Sequence, residues 1–226
     1  MPLYKAEIEW RDDVVPVSTR FDDPYFSLQN GLEESRHVFL SGNDLPERFR
    51  NGFCIGELGF GTGLNFLATL EAWLRCGAQG EFHFVSFEAF PLTKEAAAKA
   101  LGAFPELVDH SEHLIALWEE IREGQAARIG PAHLQLIHGD AREMLKTWSG
   151  QADAWYLDGF SPAKNPELWE ARLLAEVARH TRPDGTVATY TAAGYVRRGL
   201  SEAGFEVTRS PGFGRKRHMT RGHLAS

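Results

Sequence analysis

From Gly52 onward the chain alternates between short apolar runs that read as strands and stretches of helical spacing. Strand candidates are 53–58, 82–88, 134–139, 153–158 and 185–191. Helical stretches fall near 63–75, 93–101 with 110–121, 141–148 and 166–181. A further helix, about 194–203, precedes two more strands near 205–210 and 216–221, with Pro211-Gly-Phe-Gly214 between them. Alternation of this kind predicts an α/β chain with a mainly parallel sheet and helices on both faces. Residues 1–50 lack the rhythm. There Asp22-Asp-Pro-Tyr-Phe26 is a turn signal followed by aromatics, and Gly31–Leu40 fits a short helix. The expected organisation is an N-terminal extension, 1–50, packed on a domain spanning 51–226.

The 226 residues suffice for one domain with a substantial core. A composition of 43% hydrophobic and 24% charged residues is that of an ordinary soluble protein. No apolar stretch has the length of a membrane span, and Met1-Pro-Leu-Tyr-Lys lacks a signal-peptide core, so a cytoplasmic location without a membrane partner is expected. Cys54 and Cys76 make neither a disulfide framework nor a metal cluster. The net charge of −7 argues against indiscriminate nucleic-acid binding. Its distribution changes that picture. From Arg197 to Ser226 seven basic residues face two acids, giving +5 there and leaving −12 for the rest. A solvated tail and a face for selective contact with a polyanion both fit this cluster.

Ligands of doubly wound sheets collect beyond the carboxyl ends of the strands. The first strand candidate runs into Glu57-Leu-Gly-Phe-Gly-Thr-Gly63, a glycine turn opening a helix. Glycine lets a backbone approach a ligand closely, and a helix start offers unpaired N–H groups. Position 64 is Leu rather than the third glycine of a dinucleotide fingerprint, and no Gly-Lys-Ser/Thr ending makes a P-loop. The second candidate ends in Glu88, suited to both hydroxyls of a ribose. The third ends in His138-Gly-Asp140-Ala141, where Asp140 either caps the next helix or receives an adenine amine. The fourth ends in Asp158-Gly-Phe-Ser-Pro162, which resembles the Asp-Pro-Pro-Tyr loop of amino-group methyltransferases. There Asp158 would orient an amine lone pair with Phe160 flanking it, and a role in proton removal is left open. His110 and His113 stand three apart without a third clustered ligand, so a solvated helix face is expected and no metal. The six Trp fit core positions better than base-stacking platforms.

The glycine turn resembles the first motif of Rossmann-like methyltransferases that bind S-adenosylmethionine. More of the chain resembles one such family. The segments are Pro16–Ser27, Asn30–Leu40, Glu57–Phe66, Phe87-Glu-Ala-Phe-Pro-Leu-Thr93, Asp153–Pro166 and Gly212-Phe-Gly-Arg-Lys-Arg217. Together they are similar to the methyltransferase half of the bifunctional tRNA 5-methylaminomethyl-2-thiouridine biosynthesis proteins. The resemblance implies a seven-stranded class I S-adenosylmethionine-dependent methyltransferase sheet. It also implies methyl transfer to the amine of 5-aminomethyl-2-thiouridine at the tRNA wobble position. Carried over by motif, Glu57, Gly59, Phe60, Gly61, Thr62, Gly63, Glu88, Asp140 and Ala141 would hold the cofactor. Among the substrate-binding residues Tyr25 and Phe26 would cover the pocket and Phe160 would flank the acceptor. Arg215, Lys216 and Arg217, helped by Lys164, would hold phosphates of the anticodon stem-loop, and Asp158 would face the amine. With no second glycine fingerprint before Ser226, no FAD is expected, and the amine would come from others, a separate FAD-dependent oxidase among them. The competing readings are methylation of a small amine, aminopropyl transfer from the decarboxylated cofactor, and a non-catalytic tRNA-binding or partner-binding subunit.

Overall fold

A computed structural model describes residues 5–27 and 30–225. Residues 1–4, on which the reading of the N-terminus rests, lie outside the described residues, as does Ser226. The first elements form a small antiparallel sheet in chain order: β1 (Ile8–Arg11), β2 (Val15–Ser18) and β3 (Asp23–Pro24). Next comes α1 (Gly31–Ser35), capped by Asn30, whose side chain accepts the Glu33 N–H. The helical path continues through a π-type turn, Arg36–Leu40, and a 3-10 turn, Ser41–Asn43.

The alternating part follows as β4 (Phe53–Leu58), α2 (Leu64–Arg75), β5 (Phe82–Glu88), α3 (Lys94–Leu101), α4 (Val108–Ala116) and α5 (Trp118–Arg122). Then come β6 (Ala127–Ile129), β7 (Ala132–His138), α6 (Ala141–Thr147), β8 (Ala152–Leu157) and α7 (Ala171–Arg179). The chain closes with β9 (Thr181–Thr189), α8 (Gly194–Glu202), β10 (Phe205–Pro211) and β11 (His218–Leu224). Strands β4 to β11 make one sheet in the order β10-β11-β9-β8-β4-β5-β7-β6. The five central strands are parallel; β11 runs antiparallel to both β9 and β10, and β6 antiparallel to β7.

Eight strands stand where seven are expected. The extra one, β6, has three residues with an exposed Arg128 at its centre, too short to register as an apolar run. Strand β9 starts four residues early because Thr181-Arg-Pro-Asp-Gly185 reads as a turn, yet it pairs with β8 across an irregular register. The helix expected over 166–181 is divided into a 3-10 turn, Pro166–Trp169, and α7.

Alternating side chains of each central strand feed two apolar clusters. Phe53, Ile55, Phe82, Phe84 and Tyr156 pack with Phe66 and Trp73 of α2 on one face. Cys54, Leu58, Phe87, Trp155 and Leu157 pack with Leu173, Leu174 and Val177 of α7 on the other. Each fully buried Phe or Leu contributes about 1.5–3 kcal/mol of transfer free energy. Leu32, Val38, Phe39, Leu40 and Leu45 belong to the first cluster, so the helical part of the expected extension shares the core of the main sheet. At the amino-terminal edge, Asp153 accepts from Cys54 N (2.8 Å), Arg50 Nη2 (2.6 Å) and Arg182 Nη1 (3.0 Å), which ties β8 to β4 and β9.

Candidate active site

Parallel register places Leu58 level with Phe87 on one side and Leu157 on the other. The next residues, Gly59, Glu88 and Asp158, therefore leave the sheet side by side at its carboxyl edge. Gly59 N–H donates to Phe87 O at 2.9 Å and Asp158 N–H to Leu58 O at 3.1 Å. From β4 the chain crosses first toward β5 and later to β8, so this edge is the topological switch point where α/β sheets take ligands. A cavity of about 1090 Å³ opens there. Its walls come from the glycine turn, the ends of β5, β7 and β8, residues 20–27, α1, Tyr190 and the β10–β11 connection.

The glycine turn is shaped by what it crosses. Gly59 has φ of +91°, and a Cβ there would lie 2.5 Å from the Asp158 carbonyl oxygen, so only glycine fits. Gly61 N–H donates to Glu88 Oε2 at 3.1 Å and Phe90 N–H to Oε1 at 2.8 Å. Burial nevertheless raises the Glu88 pKa above the usual carboxylate range. Phe60, Gly61 and Thr62 line the cavity. Gly63 does not; it takes the left-handed conformation that starts α2, against Leu114 and Phe60.

Glu57 also departs from its expected place. It points to the α2 side of the sheet, one residue below the turn, and is fully buried rather than facing the cavity. Its Oε2 accepts from Ser86 Oγ at 2.6 Å and its Oε1 from Asn65 Nδ2 at 2.9 Å. The second hydrogen of that amide goes to Asp158 Oδ2 at 2.6 Å. Ser35 Oγ of α1 donates to Asn65 Oδ1. Burial pushes Glu57 up to about 8 and Asp158 up to about 7. At Asp158 the Asn65 bond and the Lys216 charge pull down against burial and against Glu34.

The Asp158 loop is fixed at several points. Tyr190 OH donates to Gly159 O at 2.7 Å, Trp169 Nε1 to Phe160 O at 2.9 Å, and Ser161 N to Asp23 Oδ2 at 2.7 Å. Phe160 stacks on Phe21, with ring centroids 4.9 Å apart, and meets Tyr25 edge-on at 5.1 Å. Phe26 lines the cavity and meets Phe104 edge-on at 5.0 Å. Burial also raises the phenols of Tyr25 and Tyr190, which keeps both neutral. Asp140 and Ala141 line the far end. Asp140 caps α6 by accepting from Arg142 N at 2.9 Å, and its oxygens also hold the Arg142 guanidinium at 2.6–3.0 Å. That ion pair lowers the Asp140 pKa.

The expected basic contacts separate. Lys164 is outside the cavity lining and bridges to the N-terminal layer, 3.1 Å from Asp22 Oδ2 and 3.6 Å from Asp23 Oδ1. Lys216 lines the cavity but pairs with Glu34 Oε1 at 2.7 Å, its ammonium 4.2 Å from the Tyr190 ring centroid. Arg215 lines the mouth, whereas Arg217 does not. Among the described residues neither makes an ion pair. His110 and His113 lie on α4, where the His113 Nδ1 position is 2.7 Å from Asp109 O. Trp73, Trp118, Trp155 and Trp169 are core residues.

Asn65, Ser35, Glu34 and Tyr190 are the site residues that motif reading misses. Asn65 carried a signal: with Thr69 it forms a polar i, i+4 pair on the buried, otherwise apolar face of α2. The donor set fits S-adenosylmethionine better than a phosphate-bearing nucleotide. The turn's N–H of Gly61 is taken by a carboxylate, and Glu34, Glu88, Asp140 and Asp158 all line the cavity. Arg20, Arg142, Arg215 and Lys216 line the same cavity, so what disfavours a diphosphate is the occupied turn N–H, and what suits a ribose is the Glu88 carboxyl beside that turn.

Comparison with known proteins agrees with this geometry. The family described as S-adenosyl-L-methionine-dependent methyltransferase matches residues 105–225. The chain is 47% identical over 227 residues to the tRNA 5-methylaminomethyl-2-thiouridine biosynthesis bifunctional protein MnmC of Leptospira borgpetersenii, covering 97% of this chain and 35% of that protein. It is 48% identical over 238 residues to the protein of the same name from Aeromonas hydrophila, covering 99% and 36%. The chain thus spans about a third of the length of these curated relatives. The crystal structure of MNMC2 from Aquifex aeolicus superposes with a TM-score of 0.77 at 28% identity, covering 99% of this chain and 72% of that one. Precorrin-6y C5,15-methyltransferase from Geobacter metallireducens shares the fold, with a TM-score of 0.52 at 12% identity, covering 99% of this chain and 100% of that one.

Proposed function

We propose, from the premise that the chain belongs to the family of S-adenosyl-L-methionine-dependent methyltransferases, that it methylates the amine of 5-aminomethyl-(2-thio)uridine at the wobble position of tRNA. The observation that carries this reading is Asp158. It ends β8 at the switch point, opens into the cavity, and has aromatic walls on the approach side. The relatives are named for the biosynthesis of 5-methylaminomethyl-2-thiouridine in tRNA, which is the product such a transfer would give. In this reading residues 1–50 are an extension whose Tyr25 and Phe26 wall the pocket of the domain formed by 51–226.

A bound S-adenosylmethionine supplies an electrophilic methyl group on a good leaving group. Glu88, Gly59, Gly61, Thr62 and the Asp140–Ala141 corner would hold it, with Glu88 toward the ribose and Asp140 at the adenine end. The rest falls to the chain. Asp158 Oδ1, not engaged by Asn65, accepts an N–H of the substrate amine and points its lone pair inward. An alkylammonium cannot attack, so one proton must leave first. A carboxylate at its ordinary pKa is a poor base for that step, but burial brings Asp158 up to about 7, within working range of neutral solution. The neutral phenols of Tyr25 and Tyr190 are no bases at that pH, so Asp158 takes the proton. Phe160 and Tyr25 exclude water from the amine. Arg215 and Arg217, which make no ion pair among the described residues, contact the anticodon backbone.

Labelled methyl transfer tests this reading. Transfer to tRNA isolated from cells lacking the final modification is expected, with none to free amines. Transfer to small amines alone would replace it with the small-molecule reading, and absence of cofactor binding by calorimetry would leave a non-catalytic role.

A further inference from the structure

We propose that Asn65, locked by Ser35, is a positioning residue that aims the Asp158 carboxylate and keeps the proton shared by two buried acids on Glu57 rather than on Asp158. The inference rests on the reading of Asp158 given above. A carboxamide has one acceptor oxygen and two donor hydrogens, and a half-turn about its last bond exchanges them. The Ser35 hydroxyl, donating to Oδ1, fixes the orientation in which both hydrogens point at carboxyls. One reaches Glu57 Oε1 at 2.9 Å and the other Asp158 Oδ2 at 2.6 Å. Reversed, the amide oxygen would face the Asp158 carboxylate and repel it.

Ser35, Asn65 and Glu57 are 3%, 6% and 0% exposed, so water does not substitute for these bonds. Two carboxyls bridged by one amide in such surroundings resist double ionisation. The neighbours decide which keeps the proton. Glu57 is fully buried and, among the described residues, has no cation beside it, which outweighs the bond that Ser86 Oγ donates to its Oε2 at 2.6 Å. Asp158 opens to the cavity, takes the shorter amide bond and feels Lys216. The charged and titratable groups facing Asp158 are Glu57 of β4, Glu34 of α1, Lys216 of the β10–β11 connection and Tyr190 after β9. Of these only Lys216 favours its ionised form. The N-terminal segment therefore contributes to the chemistry through Ser35, whose hydroxyl hydrogen is spent on Asn65.

The test uses the full chain with Asn65→Ala and Ser35→Ala, and reads the Asp158 carboxyl directly by carbon-13 NMR titration alongside the pH dependence of single-turnover methyl transfer. Asn65→Ala is expected to move the Asp158 titration upward by about one pH unit and to slow transfer at pH 7 about 10- to 100-fold. Ser35→Ala is expected to shift it the same way by less, with a rate loss of about 2- to 10-fold. Cofactor affinity should stay within about twofold in both. Slower transfer with an unmoved titration in both variants would overturn the inference and leave a purely structural amide; unchanged rate and titration would overturn it as well. Ser35→Ala removes one hydroxyl from the far side of the amide, so it decides the matter if Asn65→Ala fails to fold. The titration needs no substrate. A wild-type protein inactive on tRNA would defeat the functional reading, while the NMR shift would still report on Asn65.

Discussion

Lys216 Nζ stands 2.7 Å from Glu34 Oε1, so the lysine of the 215–217 basic triplet is neutralised within the chain, while the two arginines beside it make no ion pair among the described residues. This pairing divides a cluster that looks uniform in sequence. Replacing Arg215 and Arg217 together by Ala is expected to lower the salt dependence of tRNA binding, reducing the slope of log K against log salt by about 1 to 2. Lys216→Ala is expected to leave that slope nearly unchanged. Filter binding across a salt series measures both, and equal slopes for all variants would return the arginines to a solvated surface.

Asp158→Asn keeps the shape of the loop and an acceptor oxygen but removes the carboxylate that takes the proton of the amine. Turnover is expected to fall about 10²- to 10⁴-fold, the range of a lost general base. Cofactor affinity measured by calorimetry should change little, because Glu88 and the glycine turn are untouched. Parallel loss of both would assign Asp158 to cofactor binding or folding instead.

Glu57 titrates at about 8 in the folded chain against an ordinary value of 4.5. Between those limits the folded state holds more protons than the unfolded one, so stability falls as pH rises through the window. Glu57→Gln cannot lose that proton. It is expected to flatten the pH dependence of stability between about 5 and 8, and to gain on the order of 2 kcal/mol over wild type at pH 8.5. Thermal unfolding would show this as a rise of roughly 4–8 °C. A midpoint lower than wild type at that pH would mean the carboxylate is favoured where it sits.

Asp153 separates stability from chemistry. It is 3% exposed and holds Arg50, Arg182 and the Cys54 N–H at the opposite edge of the sheet. Asp153→Ala leaves two cations and a buried N–H without their partner, at a cost of about 3 kcal/mol in urea unfolding. Single-turnover methyl transfer by the folded fraction should be unchanged.

Strands β4, β5, β7 and β8 were legible because each is a mainly apolar run closed by Gly, Glu or Asp, and β9 was legible only in its apolar second half. Strand β6 was not, since three residues carry no period. Nor was the small N-terminal sheet: β1 alternates half-buried with exposed residues over four positions, β2 is four buried residues with a Pro among them, and β3 runs only two residues. At the site, Asp158 and Glu88 could be found from their place at strand ends. Glu57 could not be assigned correctly, because its direction depends on the pleat of β4 and on a partner eight residues later. Lys164 and Lys216 look like free cations in sequence, and only long-range pairing with Asp22 and Glu34 removes them.

Methyl transfer to the wobble amine is read out by nucleoside analysis of tRNA after incubation with the protein and labelled S-adenosylmethionine. The tRNA is taken from cells that stop at the 5-aminomethyl stage. The expected result is label in 5-methylaminomethyl-2-thiouridine at the wobble position, lost with Asp158→Asn. Label in any other nucleoside, or in that nucleoside regardless of Asp158, would contradict it.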